Sequence, residues 1–157
     1  MLISDVLTAK GHEVASLLAD SRVADALRLF ADRHIGAVVI DDRWQHLQGL
    51  FTERDLVRLL ARQGADVLQV PLGAVMTRAV ITCRKQDRIE TVLAAMTQNR
   101  VRHLPVLDGD RLAGIVSIGD LVKYRLDEKA LEADVLRDIA RMHPVAAGSS
   151  LAPGHAA

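Results

Sequence analysis

Apolar residues recur along the chain in two matching sets. Each set has four residues at i, i+3, i+4 and i+7, and the sets lie 66 positions apart. They are Val23, Ala26, Leu27 and Phe30 in the first half, and Ile89, Val92, Leu93 and Met96 in the second. Four apolar side chains at this spacing form one stripe on a helix, so each set predicts an amphipathic helix.

Short extended apolar segments surround each predicted helix in the same order. One segment precedes the helix, at residues 14–17 or 80–82. Two follow it, at residues 37–40 and 47–51 or at residues 103–107 and 112–116, and Gly109 marks the second pair as a hairpin. A helix closes each half, at residues 53–62 and from residue 119 to about 124 or beyond. The order β-α-β-β-α therefore occurs twice, which predicts an α/β (α+β) fold.

The duplication also predicts the domain boundaries. We expect repeats at residues 5–66 and 75–127, joined by a linker at residues 67–74. A further helix without a counterpart is predicted over residues 128–143, and it covers either the core of its own chain or a partner. Its apolar stripe consists of Leu131, Val135, Ile139 and Met142. Residues 144–157 are rich in Ala, Gly, Ser and Pro, a composition that predicts disorder.

Composition excludes several classes of function. The 157 residues carry 20 acidic and 20 basic side chains, so global charge predicts neither nucleic-acid nor membrane-surface binding. The single cysteine, Cys83, excludes an intrachain disulfide, and the histidines outside position 103 form no i, i+4 pair, so no metal is assigned. Neither a signal peptide nor an apolar run long enough for a bilayer is evident, and we expect a cytoplasmic protein.

A seven-residue pattern stands at the same place in both halves. Gly49 begins Gly-Leu-Phe-Thr-Glu-Arg-Asp, and Gly114 begins Gly-Ile-Val-Ser-Ile-Gly-Asp, 65 positions later. The glycine removes a side chain, so that a ligand ring can approach the backbone. The hydroxyl residue lies where a strand ends and a helix begins, which suits an anion. The carboxylate can accept two hydrogen bonds from vicinal hydroxyls such as those of a ribose.

The same spacing has a second interpretation. A hydroxyl residue followed three positions later by an acid is ordinary chemistry at a helix start, because the hydroxyl caps the helix and the acid favours its dipole. The pairs Thr52 with Asp55, and Ser117 with Asp120, fit both interpretations. On these residues alone, helix capping and nucleotide binding both remain open.

With these motifs in place, the two halves resemble CBS domains, the tandem nucleotide-sensing modules of many regulatory proteins. The resemblance covers roughly residues 5–127 and is carried by residues 6–8, 35–40 and 49–55 in the first half, and by residues 75–77, 99–108 and 114–120 in the second. It implies repeats packed about a pseudo-twofold axis, with two clefts between them. In the family these clefts commonly hold AMP, ADP or ATP, and sometimes S-adenosylmethionine.

By position, the resemblance implies that Asp55 and Asp120 bind a ribose and that the hydroxyls of Thr52 and Ser117 lie on the phosphate side of the ligand. Arg102 and His103 match basic positions that often reach phosphate, whereas the first half has Gly36 there, so the clefts should differ in anion binding. Which cleft the two basic residues serve is left open. Arg58 is predicted to lie on a solvated face. The predicted nucleotide-binding residues are Gly49, Thr52, Arg54, Asp55, Thr82, Arg102, His103, Gly114, Ser117 and Asp120.

The leading hypothesis is a stand-alone, non-enzymatic regulatory protein. It has no obligatory cofactor, senses an adenosine nucleotide and passes that state to an unidentified protein target. A second hypothesis is a structural dimerisation module with vestigial clefts, since CBS pairs associate into disc-like dimers, and we expect a homodimer. S-adenosylmethionine or NAD(H) are alternative ligands. An enzyme is disfavoured, because no nucleophile with a base, Walker loop or metal triad is present.

Overall fold

The computed structural model describes residues 1–142, and its elements follow the duplication. The first repeat contains α1 (Ile3–Lys10), β1 (Ser16–Leu17), α2 (Val23–Arg33), β2 (Ala37–Asp41), β3 (Leu47–Thr52) and α3 (Glu53–Gln63). After a 3-10 turn at Gly64–Gln69, the second contains α4 (Leu72–Val75), β4 (Cys83–Arg84), α5 (Ile89–Asn99), β5 (His103–Asp108), β6 (Arg111–Ser117) and α6 (Ile118–Met142). The predicted disordered tail, residues 144–157, lies outside the described residues.

Each repeat has one three-stranded mixed sheet with the same topology. β1 pairs in parallel with β2, and β2 pairs antiparallel with β3. β4, β5 and β6 repeat this arrangement. The predicted helical stripes pack on the sheets: Val23, Ala26 and Phe30 are buried in α2, and Ile89, Val92 and Met96 are buried in α5. The β-α-β-β-α order of both repeats is therefore confirmed.

The short strand of the second repeat is not where the sequence predicts it. We expected a short extended segment at residues 80–82, but β4 consists of Cys83 and Arg84, which pair with Val106 and Leu107. Thr82 therefore precedes the strand. Cys83 is buried and Thr82 is half-buried.

The opening helix of each repeat packs on the other repeat. The backbone N–H of Ile3 in α1 donates to the carbonyl of Asp87 at 2.9 Å, which ties the start of the chain to the second repeat. In the opposite direction, Leu50 of β3 and Thr77, which follows α4, exchange two backbone hydrogen bonds at 2.9 and 3.0 Å. The end of α1 is thereby brought beside β6, more than 100 positions away in sequence.

The two sheets meet through one apolar cluster. Ala37, Val39 and Leu50 of the first sheet are buried, and Leu112 and Ile115 of the second pack against them. Burial of this area removes apolar surface from water and fixes the two repeats face to face. Polar residues at the edges of the cluster are thereby held in fixed positions on either side of it.

α6 is a single helix, where the sequence predicted two. It runs from Ile118 to Met142, and no glycine or proline follows Gly119 to interrupt it. The chain divides into two compact units after Val122. Within residues 123–142 the large apolar side chains are exposed, and they are Leu126, Leu131, Val135, Leu136, Ile139 and Met142. No helix within residues 1–142 has both the length and the apolar character required to cross a membrane.

Candidate nucleotide-binding clefts

The corner between β3 and α3 is closed by hydrogen bonds between Thr52 and Asp55. The Thr52 backbone N–H and its hydroxyl both donate to Asp55 Oδ2 at 2.9 Å, and the Asp55 N–H donates to Thr52 Oγ1 at 3.2 Å. This reciprocal pairing is a capping box, so the helix-start interpretation is correct for this corner. It engages only Oδ2, and no residue within 1–142 bonds to Oδ1.

The corner between β6 and α6 is built alike but carries an added cation. The Ser117 N–H donates to Asp120 Oδ2 at 2.9 Å, and the Asp120 N–H donates to Ser117 Oγ at 3.1 Å. Lys10, at the end of α1, also donates to Asp120 Oδ2 at 2.6 Å and to the Ile115 carbonyl at 2.9 Å. Burial works to raise the pKa of Asp120, but the Lys10 hydrogen bond and the Ser117 donors outweigh it, so that pKa is lowered.

A cavity of about 500 Å³ lies beside the first corner, and we call it the Asp55 cleft. Thr52 and Asp55 line it together with the apolar Leu50, Val80 and Ile81. Four arginines also line it: Arg54, Arg58, Arg100 and Arg102. Within residues 1–142 none of their guanidinium groups has a carboxylate partner; Arg54 donates to the Arg100 carbonyl at 3.3 Å. The cleft therefore offers two carboxylates, Glu53 and Asp55, and four arginines without a carboxylate partner beside an apolar wall.

A second cavity, of about 440 Å³, lies beside the second corner, and we call it the Asp120 cleft. Ser117 and Asp120 line it, and its two cations are both paired. Lys10 is bonded to Asp120, and Arg33 lies 3.3 Å from Glu13. This cleft is thus slightly smaller than the first and has an equivalent corner, but both of its cations are paired with carboxylates.

His103 and Gly36 line both clefts. An ideal Cβ placed on Gly36 would lie 3.2 Å from His103 Cε1, so the imidazole stands against bare backbone. Burial lowers the pKa of His103, although the negative charge of Asp120 opposes that shift. The sequence left open which cleft the two basic residues serve: Arg102 lines the Asp55 cleft, and His103 separates the two.

Gly49 and Gly114 do not line either cleft, and their predicted role is corrected by the structure. A Cβ on Gly49 would overlap Met76 Sδ, and one on Gly114 would lie 2.7 Å from Leu7 Cδ2. The space that we assigned to a ligand ring is filled by Met76 at Gly49 and by Leu7 at Gly114. Each of these side chains belongs to the opening segment of the other repeat. The glycines are needed so that these segments can pack closely on the hairpins.

The other predicted residues fall into two groups. Thr52, Arg54, Asp55 and Arg102 come together in the Asp55 cleft, Ser117 and Asp120 lie in the Asp120 cleft, and His103 is in both. Thr82 lines neither, although the preceding Val80 and Ile81 line the Asp55 cleft. No cluster of three potential metal-ligating side chains occurs in the part of the chain that the structure describes.

Five basic residues that line the clefts were missed, and they are Lys10, Arg33, His34, Arg58 and Arg100. Arg58 was predicted to be solvated but lines the Asp55 cleft. Arg100 follows the last residue of α5 and has a left-handed backbone conformation, with φ of 53°. His34 has the equivalent position after α2, with φ of 52°. The two residues lie 66 positions apart, the same offset as the two helical stripes, so the sequence contained this signal. Lys10 had no such signal, because its partner lies 110 positions away.

Comparison with known proteins agrees with this architecture. The sequence profile of the CBS domain matches residues 3–62 and 72–127. The chain is 33% identical over 134 residues to the Arabidopsis thaliana protein "CBS domain-containing protein CBSX3, mitochondrial"; the match covers 80% of this chain and 65% of that protein. It therefore spans just under two thirds of that relative's length.

Solved structures share the fold. The CBS-domain containing protein ATU1752 from Agrobacterium tumefaciens is 40% identical, with a TM-score of 0.76 over 80% of this chain and 99% of that one. The CBS domain pair of protein MJ0100, solved with 5′-methylthioadenosine and S-adenosyl-L-methionine, is 22% identical, with a TM-score of 0.72 over 82% and 98% of the two chains. On the two matched segments, their paired sheets and these relatives, the chain belongs to the CBS domain family as a tandem pair.

Proposed function

We propose that this protein is a non-enzymatic sensor of an adenosine nucleotide, which binds in the clefts between its two repeats. Ligand binding would shift the geometry of the repeats, and a protein target that is not yet identified would respond. Such coupling requires that the ligand bind one geometry more tightly than another. No covalent step is assigned to any residue.

The observation that carries this proposal is a hollow beside each duplicated aspartate. In Asp55 and Asp120, Oδ2 accepts the hydrogen bonds of the helix cap, and Oδ1 is available to the hydroxyl pair of a ribose. Cavities of about 500 and 440 Å³ lie beside them. These volumes fall within the range of ~300–1,000 Å³ that is usual for small-molecule sites. Helix capping and ligand binding are therefore compatible at the same carboxylate.

A related pair supports the adenosyl class. The MJ0100 pair was solved with 5′-methylthioadenosine and S-adenosyl-L-methionine, two ligands that share the adenosine group. Adenosine supplies the ribose hydroxyls for the carboxylate and a flat base for the apolar wall. In the Asp55 cleft that wall includes Leu50, Val80 and Ile81.

Isothermal titration calorimetry with AMP, ADP, ATP, NADH and S-adenosylmethionine tests the proposal. We expect heat from at least one ligand, and a loss of affinity of tenfold or more in the Asp55→Asn, Asp120→Asn double variant. Asparagine keeps an oxygen for the helix cap, so the fold should be retained. Asp32→Asn, on an exposed carboxylate of α2, is the matched control. The absence of heat from every ligand, under conditions that detect a dissociation constant of ~100 µM, would end the sensing hypothesis.

A dimerisation module is the second candidate, and the exposed apolar side chains of α6 favour it. Val135 and Ile139 are 49% and 53% exposed, and they lie one helical turn apart. Several large apolar groups in one region commonly mark a contact surface. We propose that a second copy of the chain covers them. Sedimentation of the Val135→Glu, Ile139→Glu variant tests this: a monomer is expected if the wild type is a dimer, whereas an unchanged dimer would exclude this surface.

A further inference from the structure

The two clefts are built from equivalent positions but differ in charge at several of them. Lys10, which pairs with Asp120, is matched in the second repeat by Ala79, because residues 6–8 match residues 75–77. Ala79 lines the Asp55 cleft. Asp55 consequently has no lysine of this kind bonded to it, and within residues 1–142 its carboxylate accepts hydrogen bonds from the backbone N–H and the hydroxyl of Thr52.

Three of the four arginines that line the Asp55 cleft are matched by residues without a fixed charge, and the fourth, Arg58, is matched by Lys123. Arg100 is matched by His34, and Arg102 is matched by Gly36, at an offset of 66. Arg54 is matched by Gly119, at an offset of 65. The charged residues that line the Asp55 cleft are Arg54, Arg58, Arg100 and Arg102 against Glu53 and Asp55, a balance of four positive and two negative. Those that line the Asp120 cleft are Lys10 and Arg33 against Glu13 and Asp120, a balance of two and two.

These balances have opposite consequences for a phosphate group. In the Asp55 cleft a phosphate would meet guanidinium groups with no carboxylate partner, which suit planar, bidentate recognition. In the Asp120 cleft both cations are already paired, Lys10 with Asp120 and Arg33 with Glu13, and a phosphate that shared Lys10 would lie close to the Asp120 carboxylate, at a cost in like-charge repulsion. A ligand without phosphate avoids that cost and can still use the free Oδ1 of Asp120.

We propose that the clefts take different classes of adenosyl ligand: a nucleoside polyphosphate binds in the Asp55 cleft, and an adenosyl compound without phosphate binds in the Asp120 cleft. This inference rests on the proposed function, since both ligands share the ribose–carboxylate contact. Lys10 and the four arginines are the residues that determine the difference. The protein then responds to two metabolite signals.

Calorimetry with ATP and 5′-methylthioadenosine, on the full chain, separates the clefts. We expect each ligand to bind at one site per chain, and 5′-methylthioadenosine to bind when ATP is already saturating. The Arg100→Ala, Arg102→Ala variant should lose roughly tenfold to a hundredfold in ATP affinity, because charge-assisted hydrogen bonds to phosphate are removed. Its affinity for 5′-methylthioadenosine should change by less than about threefold.

Matched variants make the assignment specific. Arg62→Ala alters an arginine of the same basic stripe on α3 that lines neither cleft, and ATP affinity should be unchanged within about twofold. Asp55→Asn should weaken ATP, and Asp120→Asn should weaken 5′-methylthioadenosine, each at least tenfold, with folding checked by thermal unfolding. Competition of the two ligands for one site, or equal losses of ATP affinity in both aspartate variants, would overturn the division of the clefts and leave the sensing function intact. A protein that binds neither ligand, nor any other adenosyl compound, would overturn both.

Discussion

Substitution of Gly114 by alanine tests whether the glycines of the two corners serve packing. The added Cβ would lie 2.7 Å from Leu7 Cδ2 and 3.1 Å from Leu7 Cδ1, and Leu7 is fully buried. Carbon atoms in ordinary contact are ~3.5–4.0 Å apart, so the methyl group overlaps a side chain that cannot move into solvent. Overpacking of this kind costs about 1–3 kcal/mol. We expect Gly114→Ala to lower the free energy of unfolding by roughly 2 kcal/mol.

A double-mutant cycle with Leu7→Ala makes the test specific to this contact. Leu7→Ala alone should cost about 2–5 kcal/mol through the cavity it leaves, and the double variant should cost less than the sum of the two single variants by about 1–2 kcal/mol. Urea denaturation followed by circular dichroism measures all four proteins. Gly119→Ala is the control, since its Cβ would meet only Ser117 Oγ at 3.6 Å and alanine favours a helix. A Gly114→Ala protein of unchanged stability with weakened ligand affinity would refute the packing explanation.

Three further predictions concern single side chains. Thr52→Ala removes the hydroxyl that caps α3 and should lower the free energy of unfolding by about 1 kcal/mol, as measured by urea denaturation. Thr52→Ser keeps the hydroxyl and should retain most of that stability. Lys10→Met should cost about 1 kcal/mol at neutral pH. The pKa of Asp120 is lowered in the folded state, so this carboxylate stabilises the fold at pH values above its unfolded pKa of ~3.9. That stabilisation is lost as the pH falls through the folded pKa. The difference in free energy of unfolding between wild type and Lys10→Met should therefore shrink in acid. Burial raises the pKa of Cys83 to about 12, so a thiol-specific reagent at mildly alkaline pH should label this residue only after unfolding; rapid labelling of the folded protein would contradict its burial.

The repeated part of the fold was predictable because its signals are local. The stripe at Ile89, Val92 and Met96 has helical spacing, and all three side chains are buried in α5. The hairpin turn at Gly109 has a positive φ of 64°, as a glycine in such a turn allows. The sequence did not show that the opening helix of each repeat packs on the other repeat. The hydrogen bond from Ile3 to Asp87, for example, joins positions that no local pattern relates.

The candidate sites were predicted in part for the same reason. Thr52 and Asp55 are three positions apart, so their joint placement follows from the helix itself. Arg58 was assigned to solvent because a charged stripe on a helix usually is solvated, and only the second repeat, through Arg102, completes the cavity it lines. Lys10 reaches Asp120 through the packing of α1, which depends on the whole fold.

His103 and Gly36 line both clefts, and the imidazole lies against backbone because Gly36 has no side chain. A ligand that moved this ring in one cleft would therefore change the lining of the other. Two ligands that both contact the ring would then be coupled in their affinities. By thermodynamic reciprocity, whatever the first guest does to the affinity of the second, the second does equally to the first. A side chain in place of Gly36 would contact the His103 ring, since an added Cβ would lie 3.2 Å from Cε1, and we expect it to weaken any such coupling.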